Sequence, residues 1–559
     1  MAMLLQEGVS AHAQARPESV ALSFRSSRLT YGELERVSNR LARALADAGC
    51  ARGDRVALLM PKMPEAIVAM LGVLKAGAAY VPLDPAGPEA RLARVLEVSD
   101  CRCLLAAGPV GRMLSGVLAT ARLGQPPVIG SLDAGMARDG DPAPVFTLGD
   151  LGAYADTPPP CNGTDTDLAH ILFTSGSTGL PKGVMITHAN VTQFIRWAAV
   201  YFATAPSDRI SQHPPLHFDL STFDIYATLW AGAQLHLVPP ELNLLPHKLA
   251  QFIRDQELTQ WFSAPSVLNL MAKFDVIAQG DFASLRRVLW CGEVIPTPTL
   301  IHWMRRLPQV RFTNLYGPTE ATIASSYYTV PHCPADEREP IPIGTACGGE
   351  ELLVLDERLR PAAPGEGGEL YIRGVGLSPG YWRDPEKTRA AFLPCPDGKD
   401  PQDRIYRTGD LARRDTEGLF HFLGRSDTQI KSRGYRIELG EIEAALHSLP
   451  CLRESAVVAI RSDGFEGWLI CCAYATAPGM QAAPESLRTA LATLLPAYML
   501  PARWMPLDAI PKNPNGKIDR PALKDAFLRA ETHATGTDAS RPGPERAADP
   551  RAVMASAQT

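Results

Sequence analysis

Long apolar runs are absent from this chain of 559 residues. No stretch approaches the ~18 apolar residues that a membrane-spanning helix requires. The first segment, Met1–Glu7, also lacks the basic region and the apolar region of a secretory signal peptide. We therefore expect a cytoplasmic protein that does not enter a membrane.

The sequence also has no large excess of charge of one sign. It contains 55 Lys and Arg against 60 Asp and Glu, which gives a formal net charge of −5. Proteins that bind nucleic acid or an anionic membrane surface usually carry an excess of basic residues. This charge balance disfavours both functions.

Cysteine is scarce, with 11 residues scattered along the chain. Neither Cys101–Cys103 nor Cys471–Cys472 has the spacing of a zinc site or a redox motif. We expect the cysteines to be reduced thiols, most of them buried.

The hydrophobic pattern between residues 55 and 330 alternates short apolar runs with segments of helical length. Arg55–Met60 is followed by a helix that starts at Pro64 and then by Ala78–Leu83, which is the order of a β-α-β unit. Repetition of this unit predicts the α/β class with a doubly wound, mostly parallel sheet. Further strands are predicted at Ala169–Thr174, Gln234–Val238, Gln260–Ala264, Arg287–Trp290 and Arg311–Leu315.

The pattern changes after about residue 340. Short alternating runs between Gly and Pro turns, such as Glu351–Leu355 and Glu369–Arg373, predict a small antiparallel β region. After about 428 the order of helices and strands predicts a compact α+β lobe of ordinary domain size. We therefore expect a large N-terminal domain over residues 1–426, a smaller, mobile C-terminal lobe over 427–530 and a disordered tail over 531–559.

A loop rich in Gly, Ser and Thr covers residues 174–183, with the sequence Thr-Ser-Gly-Ser-Thr-Gly-Leu-Pro-Lys-Gly. It follows a predicted strand and precedes a helix that we expect to start near His188. Glycines let the backbone approach a polyanion, hydroxyl and N–H groups bind it, and Lys182 adds charge. The spacing is not that of a Walker A loop, because Pro181 precedes the lysine and Gly183 follows it. A flexible loop without a ligand is the alternative.

A series of short motifs extends over nearly the whole chain. The motifs are Leu29–Leu34, Leu74–Asp84, the loop over residues 174–183 (called the phosphate loop below), Phe218–Ser221, Asn314–Glu320, Gly368–Tyr381, Tyr406–Asp410, Gly424–Glu443, Leu495–Pro501 and Asn515–Arg520. Each motif alone is weak evidence, but their order is specific. In this order the sequence resembles the adenylation domains of nonribosomal peptide synthetases, which are related to acyl-CoA synthetases and firefly luciferase.

The resemblance implies a large and a small lobe joined at a hinge, Asp427, with the active site between them. It also implies two half-reactions that require ATP and Mg²⁺. A carboxylate attacks the α-phosphate of ATP to give an acyl-adenylate and pyrophosphate, and a phosphopantetheine thiol then takes the acyl group as a thioester. The enzyme has to bring two anions together and to stabilise the charge of the transition state.

The same resemblance implies roles for residues around the nucleotide. Tyr316 would stack on adenine, Asp410 would bind the ribose hydroxyls, Arg425 would assist at ribose or phosphate, and Thr319 with Glu320 would support phosphate and Mg²⁺. A buried structural tyrosine and ordinary ion pairs are the alternatives. The other implied catalytic or nucleotide-binding residues are Thr174, Ser175, Gly176, Ser177, Thr178, Gly179, Lys182, Gly292, Asn314, Gly317 and Phe422.

Lys517 lies in a Pro/Asn/Gly loop, where a solvated lysine is the ordinary expectation. The resemblance implies instead that its compact ammonium bridges the substrate carboxylate and the α-phosphate during catalysis. Rotation about Asp427 would then remove Lys517 after adenylation and bring the face around Lys431–Gly434 to the site for thioester formation.

Asp219 bears on the kind of acid that is activated. The resemblance implies that it pairs with the α-ammonium of an amino acid, since a buried carboxylate needs a cationic partner. A helix N-cap is the alternative. The other implied pocket positions carry no charge, which favours a small to medium neutral amino acid similar to cysteine, proline or alanine. These positions are Leu220, Phe223, Ser266, Leu289, Cys291, Leu315, Ile323 and Ala324.

The chain has no Gly-Gly-x-Ser carrier motif after Arg520 and no His-His-x-x-x-Asp-Gly condensation motif. It therefore resembles a free-standing adenylation enzyme, expected to be a monomer, that loads a separate phosphopantetheinylated carrier protein. The need for an MbtH-like helper protein stays open. The alternatives are a ligase that delivers an acid to coenzyme A and an inactive scaffold or binding protein that retains the fold.

Overall fold

The computed structural model describes residues 3–133, 143–160, 162–176, 181–396, 398, 403–461, 467–513 and 517–536. Within these ranges the chain forms a large lobe, which ends with a strand at Arg425, and a small lobe, which begins with a strand at Gln429. The predicted division at residue 427 falls between these two strands.

The strands of the large lobe build its sheets. They are β1 (Val20–Phe24), β2 (Ser27–Thr30), β3 (Arg55–Leu59), β4 (Ala79–Leu83), β5 (Cys103–Ala106), β6 (Val128–Ser131), β7 (Phe146–Thr147), β8 (Leu168–Thr174), β9 (Lys182–Thr187), β10 (Arg209–Gln212), β11 (Gln234–Leu237), β12 (Gln260–Ser263), β13 (Arg287–Cys291), β14 (Arg311–Tyr316), β15 (Ser326–Thr329), β16 (Thr345–Ala346), β17 (Glu350–Leu355), β18 (Gly367–Gly374), β19 (Phe392–Pro394), β20 (Arg404–Arg414) and β21 (Phe420–Arg425).

Helices cover and separate these sheets. They are α1 (Glu7–Ala15), α2 (Tyr31–Asp47), α3 (Pro64–Lys75), α4 (Glu89–Ser99), α5 (Gly111–Thr120), α6 (His188–Tyr201), α7 (Asp219–Ala231), α8 (Pro246–Asp255), α9 (Pro265–Lys273), α10 (Thr297–Arg306) and α11 (Pro385–Ala391). A short 3-10 turn at Thr319–Ala321 follows β14.

Two large sheets, each mostly parallel, dominate the lobe. One has nine strands in the order β16-β15-β14-β13-β12-β10-β11-β1-β2, and the other has seven in the order β7-β6-β5-β3-β4-β8-β9. The antiparallel strands lie at the edges, as β2, β15, β16 and β9. A separate antiparallel sheet joins β17, β18, β20, β19 and β21. The predicted α/β class with doubly wound parallel sheets and a small β region is confirmed.

The local sequence explains where two core helices begin. Thr30 caps α2, because its hydroxyl accepts the N–H of Glu33 at 3.2 Å while the Glu33 carboxylate accepts the N–H of Thr30 at 2.8 Å. Pro64 starts α3 at a position where a helix needs no N–H group. Helix α3 is buried from Ala66 to Lys75 and belongs to the largest hydrophobic cluster, which also takes residues from β1, β3 and α7. The main core therefore lies between the two large sheets.

The small lobe has its own core around a three-stranded sheet. Its last helix continues beyond residue 530, where we had expected the tail to begin, because the alanine- and charge-rich sequence there favours a helix. Residues 537–559 of the predicted tail lie outside the described residues. The elements are β22 (Gln429–Ser432), β23 (Tyr435–Glu438), α12 (Leu439–His447), β24 (Leu452–Arg461), β25 (Trp468–Thr476), α13 (Pro484–Ala492), β26 (Arg503–Pro506) and α14 (Arg520–Gly536).

Two expectations from composition concern membranes and cysteines. None of the helices in the described ranges is both long and apolar enough to cross a membrane. The ten cysteines that the structure describes form no disulfide, and most of them are buried.

Candidate active site between the lobes

A cavity of about 110 Å³ lies between the two lobes. Its walls come from the carboxyl ends of β8, β13 and β14, from the start of α7 and from the β22–β23 hairpin of the small lobe. Parallel sheets usually bind ligands at this edge. The sequence-predicted residues that line the cavity are Thr174, Ser175, Asp219, Leu220, Cys291, Gly292, Gly317, Thr319, Asp410 and Arg425.

The phosphate loop connects two antiparallel strands, since Thr174 at the end of β8 pairs with Lys182 at the start of β9. The predicted helix does begin at His188, but β9 lies between it and the loop. No strand was predicted at this position. The predicted ligands Ser177, Thr178 and Gly179 lie outside the described residues.

The described part of the loop has polar groups suited to an anion. The hydroxyl of Thr174 is buried and has no hydrogen-bond partner among the described residues. Ser175 donates its hydroxyl to the Arg436 carbonyl at 2.8 Å, and the Gly176 N–H donates to the Glu441 carboxylate at 3.2 Å. An unpaired buried hydroxyl, beside a backbone donor that now binds a carboxylate of the small lobe, fits a phosphate oxygen, so the residues present are compatible with ATP.

Lys182 and Glu320 provide opposite charges beside this loop. Glu320 is fully buried and accepts a hydrogen bond from the Tyr381 hydroxyl at 2.8 Å. Burial alone would raise the pKa of Glu320, but the charges of Arg436 and Lys182 lower it to about 2. Burial, together with the charge of Arg436, lowers the pKa of Lys182. Glu320 is therefore ionised at neutral pH.

Glu320 fits the role of a magnesium ligand only in part. An ionised carboxylate suits Mg²⁺, but the described residues contain no group of three or more His, Cys, Asp or Glu side chains that could hold a metal. Phosphate oxygens and water would have to supply the other ligands. Both oxygens of Glu320 also accept hydrogen bonds from Arg436, which would have to move away first.

Tyr316, Asp410 and Arg425 lie together at one side of the cavity. The Tyr316 hydroxyl and the Arg425 guanidinium both donate to the Asp410 carboxylate, and Asp410 and Arg425 are neighbours across β20 and β21. The Lys431 ammonium lies 5.4 Å from the centre of the Tyr316 ring. The ring face that the resemblance assigns to adenine thus lies beside a small-lobe cation.

Asp427 lies in the connection between the lobes. Its carboxylate accepts two hydrogen bonds from Arg425, at 2.7 and 2.6 Å, and one from the Gln429 N–H at 3.0 Å. These contacts join the last strand of the large lobe to the first strand of the small lobe, which is the position expected of a hinge.

Asp219 begins α7 but does not cap it, since the N-cap residue is Phe218 and no side-chain cap bond forms. Asp219 is half-buried and lines the cavity. Loss of water raises the pKa of Asp219 to about 6, although Thr319, the Leu220 N–H and Lys431 partly oppose the shift, while Glu320 adds to it. The geometry therefore disfavours the N-cap alternative and leaves a carboxylate that a cation would stabilise.

The apolar pocket positions lie together behind Asp219. Leu220, Phe223, Leu289, Cys291, Leu315, Ile323 and Ala324 are all buried and belong to one hydrophobic cluster. Ser266, half-buried on α9, is the remaining predicted position. Gly317 permits the close turn beside them, because a Cβ there would lie 2.6 Å from the Ala324 Cα.

Several predicted residues do not line this cavity, among them Asn314, Phe422 and Lys517. Asn314 donates its side-chain amide to the Pro342 carbonyl at 2.8 Å, and Phe422 packs against the main hydrophobic cluster. Lys517 is exposed on the small lobe, where its N–H donates to the Asn513 side chain at 3.0 Å. The structure brings the face around Lys431 and Gly434 to the cavity and leaves Lys517 away from it.

Several residues of the cleft were not singled out from the sequence. Arg436 and Glu441 lie within the motif Gly424–Glu443, and Tyr381 ends the motif Gly368–Tyr381, so motif membership was the available signal. Arg91 forms an ion pair with Glu441 across the lobes. Glu293 follows the pocket residue Cys291 and contacts both lobes.

Family models match both lobes of the chain. The model described as AMP-binding enzyme matches residues 9–382, and the model of the AMP-binding enzyme C-terminal domain matches residues 441–517. The chain belongs to the AMP-binding enzyme family. This membership confirms the sequence resemblance and the predicted enzyme class, an adenylate-forming ligase that uses ATP.

Curated relatives of this AMP-binding enzyme are peptide synthetases. It is 36% identical over 550 residues to surfactin synthase subunit 2 of Bacillus subtilis, and the matched region covers 96% of this chain and 14% of the relative. It is 38% identical over 520 residues to phosphinothricin tripeptide synthetase PhsC of Streptomyces viridochromogenes, and the matched region covers 93% of this chain and 45% of the relative. The chain thus spans less than half the length of either relative.

Two solved structures of similar shape contain adenylation domains. The adenylation domain AlmE of Vibrio cholerae, in complex with glycyl-adenosine-5'-phosphate, has a TM-score of 0.80 at 27% identity, covering 94% of this AMP-binding enzyme and 98% of AlmE. The second structure is a holo nonribosomal peptide synthetase protein that contains adenylation and PCP domains and is bound to a vinylsulfonamide inhibitor. It has a TM-score of 0.74 at 27% identity, and the match covers 93% of this chain and 84% of that protein. Both matches include the small C-terminal lobe.

Proposed function

We propose that this enzyme activates a small to medium neutral amino acid, similar to cysteine, proline or alanine, as its aminoacyl-AMP with release of pyrophosphate. The enzyme then passes the aminoacyl group to the phosphopantetheine thiol of a separate carrier protein. Asp219 carries the amino-acid part of the proposal. A carboxylate removed from water at the end of an apolar pocket is stabilised by a cation, and the α-ammonium of an amino acid provides one.

The pocket behind Asp219 supports a neutral side chain. Its lining consists of leucines, Ile323, Ala324 and Phe223, with mild polarity at Ser266 and Cys291. A charged substrate side chain would lose its water there without gaining a partner. The aromatic ring of Phe223, buried in the same cluster, would limit the depth of the pocket and so favour a small or medium residue.

In the first half-reaction the large lobe orients two anions. Thr174, Ser175 and Lys182 would hold the phosphates of ATP, while Tyr316 and Asp410 would hold its nucleoside. Glu320 would hold Mg²⁺, which supplies neutralising charge for the phosphates when bound. A carboxylate oxygen of the amino acid attacks the α-phosphorus, and the bond to pyrophosphate breaks.

Lys517 would have to enter the cleft for this step, so the small lobe takes another position during adenylation. There its ammonium would lie between the amino-acid carboxylate and the α-phosphate, where negative charge develops. In the second half-reaction a thiol attacks the acyl carbon, AMP leaves and the thiol proton passes to solvent.

The carrier-protein part of the proposal rests on similarity. The relatives are peptide synthetases, and one similar solved protein contains both an adenylation and a PCP domain. We propose that this enzyme acts as a monomer on a carrier from another chain. The alternative acceptor is coenzyme A, and a test of both acceptors separates the two functions.

The decisive experiment is ATP–pyrophosphate exchange with each proteinogenic amino acid. We expect the strongest exchange with a small neutral amino acid and its loss in Asp219→Ala. Asp336→Asn is the matched control, because Asp336 is an exposed aspartate whose carboxylate accepts the N–H of Arg338 at 2.9 Å. Its exchange rate should equal that of the wild type.

Three outcomes would overturn the proposal. Strongest exchange with glutamate or lysine would contradict the neutral pocket. Activation of acids without an amine, together with thioester formation only on coenzyme A, would identify an acid–coenzyme A ligase. No exchange with any acid would indicate a scaffold or binding protein that retains the fold.

A further inference from the structure

The Glu293 carboxylate contacts the wall of the amino-acid pocket and the small lobe at the same time. Its Oε2 accepts the backbone N–H of Ser266 at 3.3 Å, and its Oε1 accepts the backbone N–H of Gly434 at 2.8 Å. Ser266 is a pocket position on α9, and Gly434 lies in the turn of the β22–β23 hairpin. One side chain therefore links the two parts of the molecule.

The hairpin turn also packs directly on the segment that carries Ser266. Arg433 and Gly434 have positive φ angles of 54° and 81°, so the turn is tight. A Cβ on Gly434 would lie 3.0 Å from the Cβ of Ala264, two residues before Ser266. Glycine thus allows the close approach that places its N–H on Glu293.

Glu293 can accept both hydrogen bonds fully only when its carboxylate is ionised. Each oxygen receives one N–H group, and a protonated carboxyl could not accept equally well at both. Burial raises the pKa of Glu293 above its ordinary value, and the two backbone N–H groups, the Ser266 hydroxyl and Lys431 oppose this shift only in part. Lys431 belongs to the same hairpin, so docking of the small lobe brings both a donor and a cation to this carboxylate.

We propose that Glu293 is a positioning residue that couples the amino-acid pocket to the docked position of the small lobe. When the small lobe moves so that Lys517 can enter the cleft, Gly434 leaves and only the bond to Ser266 remains. Glu293 therefore stabilises the docked position, which serves thioester formation, without taking part in adenylate formation. This inference rests on the proposed two-step function.

The test compares Glu293→Ala and Glu293→Gln with the wild type in both half-reactions. In a single turnover, preformed aminoacyl-AMP is offered to free pantetheine as the thiol acceptor. We expect Glu293→Ala to slow this transfer about tenfold, since a hydrogen bond to a charged group is lost. Glu293→Gln retains one acceptor oxygen, so its transfer rate should lie between those of Glu293→Ala and the wild type. The kcat of ATP–pyrophosphate exchange should stay within about twofold of the wild type.

Hydrogen exchange of the backbone provides a second measurement that needs no substrate. Peptides from residues 429–438 should exchange faster in both variants, while peptides from β24 should not change. The control is Glu366→Gln, because Glu366 is an exposed glutamate that accepts one backbone N–H, from Ala363 at 3.2 Å. It should alter neither half-reaction nor the exchange of residues 429–438.

Two results would overturn the inference. An equal loss of both half-reactions would assign Glu293 a general structural role, and unchanged hydrogen exchange at residues 429–438 would show that it does not hold the hairpin. Failure of the wild type to support exchange with any amino acid would instead refute the proposed function. Hydrogen exchange would still decide whether Glu293 links the lobes.

Discussion

Both carboxylate oxygens of Glu320 accept hydrogen bonds from one guanidinium nitrogen of Arg436, at 2.9 and 2.7 Å. Arg436 belongs to the small lobe, and Glu320 is the candidate magnesium ligand of the large lobe. In two neighbouring contacts a charged small-lobe side chain also faces a polar or charged group of the large lobe. Glu438 lies 3.7 Å from Lys182, and Glu441 accepts the N–H of Gly176.

Charges of the small lobe thus complement the large-lobe groups to which we assign magnesium and phosphate. A guanidinium lies where the metal would approach Glu320, and carboxylates lie beside the donors of the phosphate loop. On this assignment the docked small lobe and a bound Mg²⁺–pyrophosphate pair would compete for the same groups.

Arg436→Ala tests this competition. Without the guanidinium, Mg²⁺ no longer has to displace a cation from Glu320, so the apparent affinity for Mg²⁺–pyrophosphate should rise about tenfold. Isothermal titration calorimetry measures this affinity. The control is Arg360→Ala, which removes an exposed arginine paired with Asp356. Unchanged affinity in Arg436→Ala would contradict the competition.

The pKa of Asp219, raised to about 6, predicts how amino-acid binding depends on pH. The α-ammonium needs the ionised carboxylate, so KM for the amino acid should rise about tenfold per pH unit below 6 and stay flat above it. KM for ATP should change much less. Pyrophosphate exchange between pH 5 and 8 measures both constants, and parallel changes in the two would argue against Asp219 as the titrating group.

The same shift predicts the stability of the unliganded protein. A raised pKa means that the folded state favours protonated Asp219. The stability from this group is therefore fully present below pH 3.8, the ordinary pKa of an aspartate, and is lost as the pH rises through about 6. Asp219→Asn should therefore unfold at a higher temperature than the wild type at pH 7, and its free energy of unfolding should be higher by about 3 kcal/mol at most. The difference should vanish near pH 4. Thermal unfolding at both pH values checks the sign.

Lys517→Ala should separate the half-reactions in the opposite sense to Glu293→Ala. We expect adenylate formation to fall by roughly a hundredfold or more, because a cation at the developing charge is lost, while transfer from supplied aminoacyl-AMP persists. The matched control is Lys512→Ala in the same loop, where Lys512 pairs with Glu454 at 3.1 Å. Equal loss of both half-reactions in Lys517→Ala would contradict the division of labour.

Phe223→Leu should widen the amino-acid pocket. Phe223 is buried and packs edge-on against Phe194 and Phe262, with ring centres 5.2 and 5.4 Å away. The smaller side chain should shift pyrophosphate exchange towards larger neutral amino acids and cost about 1–2 kcal/mol of stability. Phe282→Leu, in a separate hydrophobic cluster, should lose stability without a change in selectivity. The same selectivity in both variants would exclude Phe223 from the pocket.

Much of the large lobe could be predicted from local sequence. The predicted strands at residues 260–264, 287–290 and 311–315 correspond closely to β12, β13 and β14, because buried parallel strands appear as short apolar runs between helices. Strand β9 and the β22–β23 hairpin were missed. The hairpin is short, and its apolar residues Ile430 and Ile437 stand next to Lys431 and Arg436, so its apolar signal is weak.

The sequence by itself determined the fold class, the family and the residue types of the pocket, since hydrophobic periodicity and motif order are local properties. Only the tertiary structure decided which small-lobe face lies in the cleft, and with it the contacts of Arg436 with Glu320 and of Glu293 with Gly434. Those residues are more than a hundred positions apart in the chain. Their pairing depends on the position of one lobe against the other, which hydrogen bonds and ion pairs across the cleft set and which no local pattern encodes.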